Sequence, residues 1–338
     1  MKRIVAILFF VLITIFVVHS QQVSTMVIEV NPEITFQTIH NFGASDAWSC
    51  QYVGNWPNEQ KNRVADLLFS LEENKDGSPK GIGLSCWRFN IGAGSSEQEG
   101  ETIIGDPWRR TECFLQSDGS WDWNKQMGQR WFLKAAQKRG VESFIGFVNS
   151  PPVWLTKNGR ANSDSGNSVN LFEENLPKFS NFLVEVVKNI TEKDGVFLDY
   201  ISPVNEPQWH WKGGQEGSPW TNVEVSQLCR LLGNDLKNAG LETKISITEA
   251  GLLTHLFDRG NDSKRGFQIK EFFSPESENY VGDIPNMAHK ISGHSYYTVR
   301  TNTILNEVRN RLNKEIQNTD SDLEFWMSEY CVLGGNGV

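Results

Sequence analysis

Asp199-Tyr200-Ile201-Ser202-Pro203-Val204-Asn205-Glu206-Pro207 is a short, mostly apolar run that ends in a carboxylate and a proline. A run of this length, bounded by turn residues, reads as a buried strand with Glu206 just past its C-terminal end. The arrangement recurs along the chain. Strand-like runs lie over 39–45, 84–91, 143–148, 199–204, 244–248, 291–297 and 323–333. Helical spacing occupies 59–71, 125–139, 172–193, 223–238 and 302–317 between them. Asn58 caps the first helix, and Gly140 and Gly240 close two others. Seven strands alternating with helices predict a parallel α/β architecture. Asp46, Arg88, Trp154, Glu206, His294 and Glu329 all fall toward C-terminal strand ends, the pattern of a (β/α)8 TIM barrel. The sequence reaches Val338 before an eighth strand, so we expect a barrel truncated before that strand. A doubly wound open sheet would need no eighth strand. However, no glycine-rich phosphate loop follows the first strand, and Gly92-Ala93-Gly94 lacks the rest of a dinucleotide fingerprint.

The chain has 338 residues, which suits two domains or one large one. At 38% hydrophobic and 22% charged it is not collagen-like, disordered or a multi-span membrane chain. Its 41 acidic and 32 basic residues leave a net charge of −9, a sign that disfavours nucleic acid and anionic lipid as partners. The 12 Trp residues point to a ligand-stacking cleft, although most are expected to be ordinary packing. Lys2 and Arg3 precede an apolar run over 4–18, shorter than the roughly 20 residues of a membrane span. With Val18-His19-Ser20 as a cleavage site, residues 1–20 read as a signal peptide; an uncleaved anchor is the other reading. A secreted or periplasmic product follows, with no membrane attachment after cleavage. Residues 21–38 are expected as a separate segment with a strand at 27–30, and 39–338 as the barrel. Cys50, Cys86, Cys113, Cys229 and Cys331 lack zinc-type spacing. Cys86 and Cys331 sit in apolar runs and are expected as buried thiols.

Nucleophile-elbow, His-Glu-x-x-His, Walker and EF-hand motifs are all missing from the sequence, so neither a metal nor a cofactor is expected. Carboxylates in unusual places remain. Glu206 follows a strand and precedes Trp209 and Trp211, although Asn-Glu-Pro alone equally describes a solvated loop. Period-two alternation in Phe325-Trp326-Met327-Ser328-Glu329 puts Glu329 on the face of Phe325 and Met327. Both faces of a parallel sheet are covered, so that carboxylate needs a partner; a structural ion pair is the alternative. Arg88 in Leu84-Ser85-Cys86-Trp87-Arg88-Phe89-Asn90 could keep a nucleophilic carboxylate ionised or merely neutralise it. Two carboxyl groups at opposite strand ends, one acid and one anion, are what glycoside hydrolysis requires.

Several stretches together resemble glycoside hydrolase family 30, over about residues 27–334. Ile39-His40-Asn41-Phe42-Gly43-Ala44-Ser45 is similar to the family's opening strand, with Asn41 in place of the usual glycine. Ser150-Pro151-Pro152-Val153-Trp154-Leu155-Thr156-Lys157-Asn158-Gly159, Asn205-Glu206-Pro207, Gly293-His294-Ser295-Tyr296 and Ser328-Glu329 match further segments. The resemblance implies a retaining (β/α)8 glycosidase with Glu206 as acid/base and Glu329 as nucleophile. Arg88, Asn205, Asp46, Trp154, Trp209, His294 and Tyr296 would then contact substrate or the nucleophile. It also implies an accompanying β-sandwich, to which the strand near residues 23–30 would belong. Gly43-Ala44-Ser45-Asp46-Ala47-Trp48 and Trp87-Arg88-Phe89-Asn90-Ile91-Gly92-Ala93-Gly94-Ser95 look most like the branch that cleaves β-1,6-galactan. β-1,6-Glucan, glucosylceramide, glucuronoxylan and β-xylosides are the alternatives inside the family. The loops 92–123 and 157–170 are expected to line the cleft. Outside catalysis stands a secreted carbohydrate-binding protein; a metal hydrolase is disfavoured by the scattered ligands. A monomer is expected, with an oligo- or polysaccharide as its partner.

Overall fold

The computed structural model describes residues 27–98, 100–260, 262–297 and 301–331. The expected signal peptide, residues 1–20, lies outside them. The chain forms two compact units, 1–40 and 41–338. In the first, a turn at Asn31 accepts the Glu33 and Ile34 amides. Residues 27–30 make no strand there, and Val27, Ile28 and Val30 stand exposed. An extended segment becomes a strand only when a neighbour takes its backbone groups, and among the described residues none does.

Among the described residues, the second unit is built on seven parallel strands that pair in chain order. They are β1 (Gly43–Ser45), β2 (Cys86–Ile91), β3 (Ser143–Val148), β4 (Tyr200–Ser202), β5 (Lys244–Ala250), β6 (Met287–His294) and β7 (Glu324–Glu329). In a flat sheet β2 and β7 would stand about 24 Å apart at the usual strand spacing. Instead Arg88 of β2 touches Glu329 of β7 at 2.5 Å, so the sheet curls into a nearly closed barrel. β2 and β3 are buried at every position, as parallel strands covered on both faces must be.

Helices wrap the barrel. They are α1 (Ser49–Val53), α2 (Asn58–Phe69), α3 (Met127–Gln137), α4 (Leu176–Asn189), α5 (Asn222–Asn238), α6 (Thr254–Phe257), α7 (Gln268–Phe273) and α8 (Asn302–Thr319). In α4, Phe179, Phe182, Leu183, Val186 and Val187 recur at three- and four-residue spacing and form its buried stripe. A wider turn, Ile190–Asp194, continues α4 and brings Asp194 to Arg130 and Lys134 of α3 at 2.6 and 3.1 Å. α5 starts at a capping box, with the Thr221 hydroxyl on the Glu224 amide and the Glu224 carboxylate on the Thr221 amide. α1, α6 and α7 were not expected.

Two expectations about the strands need correction. β6 and β7 pair Gly293 with Met327 but His294 with Glu329, so Ser328 is an extra residue, a bulge. The alternation breaks there: Met327 is exposed while Glu329 turns inward to Arg88. Cys331 lies beyond β7 and is exposed, whereas Cys86 is buried as expected.

Candidate active site

A cleft of about 680 Å³ opens at the C-terminal ends of the strands. Its walls include Ser45 of β1, Phe147 and Asn149 at the end of β3, Glu206 beyond β4, Tyr296 beyond β6 and Glu329 of β7. Strand ends converge there because barrel strands tilt around one axis, which brings residues distant in sequence together.

Arg88 is buried at the centre. Its Nη1 donates to Glu329 Oε1 at 2.5 Å, and its Nη2 to Asn205 Oδ1 at 2.8 Å and Glu249 Oε2 at 3.3 Å. The guanidinium lies 3.5 Å from the Phe147 ring centroid. Burial works against its charge, but Glu249 and Glu329 outweigh that and raise its pKa. Asn205 in turn donates from Nδ2 to Asn149 Oδ1 at 2.9 Å, which fixes its amide.

His294, also buried, has Nδ1 2.7 Å from Glu206 Oε1 and Nε2 3.2 Å from Glu249 Oε2. Burial disfavours the imidazolium, yet the surrounding carboxylates Glu329, Glu206 and Glu249 raise its pKa to about 9. As a cation it donates from both nitrogens. The pKa values of the Glu206 and Glu329 carboxyls are driven apart. Burial pushes Glu206 up, against the pull of His294. Burial also pushes Glu329 up, but the charges of His294 and Arg88 and the Tyr296 hydroxyl, 2.8 Å from Oε2, bring it below the ordinary range. Glu249 is lowered to about 2, because Arg88 and His294 overcome its burial. Glu206 and Glu249 both hold positive φ, 44° and 54°, and the Glu206 amide donates to the Glu249 carbonyl at 2.8 Å. Such backbone strain concentrates at working sites, where surrounding bonds over-determine it.

Glu206, Glu329, Arg88, Asn205, His294 and Tyr296 thus come together as the sequence led us to expect. Trp209 lines the cleft beside them. Gly251 permits its position, since a Cβ there would meet Trp209 Nε1 at 2.5 Å. Two of the expected substrate contacts lie outside this group. Asp46 turns away from the cleft: Oδ1 accepts the Asn90 amide at 2.7 Å and Oδ2 accepts from Gln129 at 3.3 Å, with burial raising its pKa to about 7. It ties β1 to β2 and α3. Trp154 is not among the lining residues, and its indole donates to the Leu115 carbonyl at 2.9 Å.

Glu249 was missed. The apolar reading of β5 ended at Thr248, one residue short of a carboxylate at a strand end, which was the available signal. Glu206, His294 and Glu329 place three potential metal-ligand atoms within 4.8 Å of one another. In this arrangement all three are engaged by one another or by protein cations and hydroxyls: His294 with Glu206 and Glu249, and Glu329 with Arg88 and Tyr296.

The model for O-glycosyl hydrolase family 30 matches residues 25–337. An endo-β-1,6-galactanase of Hypocrea rufa is 26% identical over 238 residues, 65% of this chain and 48% of that one. A conserved exported protein from Bacteroides fragilis is 37% identical, with a TM-score of 0.86 over 91% of this chain and 63% of that one. An endo-β1,6-glucanase at 17% identity shares the fold, with a TM-score of 0.61 over 87% of this chain and 58% of that one. The chain spans about half the length of the curated relative it matches and less than two thirds of these solved structures. A match running from residue 25 to residue 337 takes in every described strand of the barrel, and the chain belongs to O-glycosyl hydrolase family 30.

Proposed function

We propose that the barrel is a retaining β-glycosidase that cleaves β-1,6-galactan. The observation that carries the reading is the pairing of Glu206 and Glu329, with carboxyl oxygens within 4.8 Å and pKa values pushed in opposite directions. Retaining glycosidases hold their carboxyl groups about 5–5.5 Å apart, whereas inverting ones leave about 6.5–9.5 Å for a water.

Glu329, anionic against Arg88 and Tyr296, attacks the anomeric carbon while Glu206 protonates the departing oxygen. His294 donates to Glu206 Oε1, which leaves Oε2 to carry the acidic proton. Water then opens the glycosyl ester with Glu206 as base. The galactan preference is supported by the Hypocrea rufa relative and by the stretch from Gly43 to Trp48. Action outside the cell is supported by the leader-like residues 1–20 and by the exported Bacteroides fragilis protein.

Assay of culture medium on β-1,6-galactan, β-1,6-glucan, glucuronoxylan and glucosylceramide tests this reading. We expect the highest kcat/KM on galactan and, by proton NMR, a β anomer formed first. A first-formed α anomer overturns retention. Binding without turnover on every member overturns the enzyme reading in favour of a carbohydrate-binding protein.

A further inference from the structure

Glu206 stands at φ 44°, in the left-handed region that a residue with a side chain enters only when its surroundings hold it there. We propose that Trp211 is a positioning residue for Glu206: its indole N–H fixes the backbone turn that aims the Glu206 carboxyl at the departing oxygen. The proposal rests on the glycosidase reading and adds to it the part that sets the acid in place.

Glu206 is held at its amide, its carboxyl and its carbonyl. The amide donates to the Glu249 carbonyl at 2.8 Å, and Oε1 lies 2.7 Å from His294 Nδ1. The carbonyl accepts from the Trp209 amide at 3.2 Å and from Trp211 Nε1 at 3.0 Å. The Trp209 bond belongs to the turn itself and moves with it. The indole bond does not, because the Trp211 ring is seated on another segment. Trp211 also holds positive φ, 50°, and its side chain reaches back to a carbonyl five residues earlier.

That segment is 216–218. A Cβ on Gly217 would run into Cδ2 and Cε3 of the Trp211 indole, so the ring lies directly against the Gly217 backbone. The floor under the ring is itself fixed. Glu216, fully buried, accepts the Ala93 amide at 3.0 Å, the Ser95 amide at 3.1 Å and the Thr111 hydroxyl at 2.6 Å. The Gly217 amide donates to the Ala161 carbonyl at 2.8 Å, and the Ser218 hydroxyl accepts the Asn170 amide at 2.9 Å. On its other side the Trp211 carbonyl accepts the Ser163 amide at 2.8 Å. Trp211 therefore transmits the rigidity of the loops over 92–123 and 157–170 to one backbone carbonyl. The Glu206 side chain is a lever on that backbone, so a small rotation of the turn swings its carboxyl. A misplacement of about 1 Å can cost on the order of 10²-fold in rate.

The test is the leaving-group dependence of kcat/KM, measured on the oligosaccharide that the panel shows to be cleaved and on the dinitrophenyl β-glycoside of the same sugar. A sugar alcohol needs a proton in order to depart, whereas dinitrophenolate leaves without one. Trp211→Phe keeps a ring on Gly217 and removes the N–H. The ratio of the oligosaccharide value to the aryl glycoside value should then fall by about tenfold, a part of the roughly 10²–10⁴ that a positioned general acid supplies. Gly217→Ala displaces the ring without touching the N–H and should lower the same ratio; it decides by the same criterion where Trp211→Phe does not fold. A tryptophan that only packs would lower both kcat/KM values together, or the Tm alone. Equal loss on the two substrates, or an unchanged ratio, therefore overturns the proposal and leaves the glycosidase reading standing. If wild type cleaves neither substrate, that reading fails and the proposal falls with it.

Discussion

Glu249 is the residue on which both cations of the site depend. It accepts from Arg88 at 3.3 Å and from His294 at 3.2 Å, and so stands behind the partner of Glu329, the proposed nucleophile, and that of Glu206, the proposed acid, at once. Glu249→Gln keeps the shape and removes the charge. His294 then loses one of the carboxylates that raise its pKa, and its cationic form is given up at lower pH. We expect the alkaline limb of the kcat/KM profile to move to lower pH, with kcat reduced on the order of 10-fold to 10²-fold for loss of a preorganised charge. A pH–rate profile that matches wild type would remove Glu249 from the machinery. Asp46 and Trp154 show the limit of reading at this scale. A strand-end position was legible in the sequence, but the direction of the side chain was not, because neighbouring helices and loops decide it.

The helices supply a second test. α1 and α3 touch through backbone: a Cβ on Gly128 would sit 2.0 Å from the Gln51 carbonyl oxygen, and one on Gly54 2.1 Å from the Gly128 carbonyl oxygen. Gln51 also receives the Gly128 amide at 3.1 Å and donates to Glu112 at 2.8 Å. Gly128→Ala should therefore separate the helices and destabilise by about 1–3 kcal/mol, the usual scale of overpacking. Thermal melting measures it, and an unchanged Tm would show that the contact yields freely. Long elements were legible because their patterns persist: β2, β3, α4 and α5 lie where the apolar spacing put them, to within a few residues. α1, α6 and α7 have five, four and six residues, too few for a helical period to be distinguished. The bulge at Ser328 was likewise invisible, since it depends on the register of β6.

Over the whole molecule the buried ionisable groups set how stability follows pH. The pKa of Asp46 is raised to about 7, so the folded state holds a proton that the unfolded chain has released, and stability falls as pH rises toward 7. His294, raised to about 9, contributes fully below its unfolded pKa and loses that contribution as pH climbs through 9. Glu249, lowered to about 2, acts in the other direction and stabilises above its unfolded pKa, so its share is lost in strong acid. Lys290 is lowered to about 8 by burial, so its contribution recovers only above that. We expect Tm to peak in the mildly acidic range, near about pH 5, and to decline toward about pH 8. Calorimetry that shows Tm rising over that interval would contradict these assignments. The five groups at the strand ends have one more consequence. With Glu206 protonated, Arg88 and His294 cancel Glu249 and Glu329, so an electroneutral cluster sits inside an acidic protein. In the proposed mechanism, as the glycosyl ester forms, Glu329 gives up its charge in the same step that Glu206 releases its proton and gains one. The sum stays at zero, and chemistry that moves a full negative charge between two carboxylates never leaves an uncompensated ion in the protein interior, where it would be most costly.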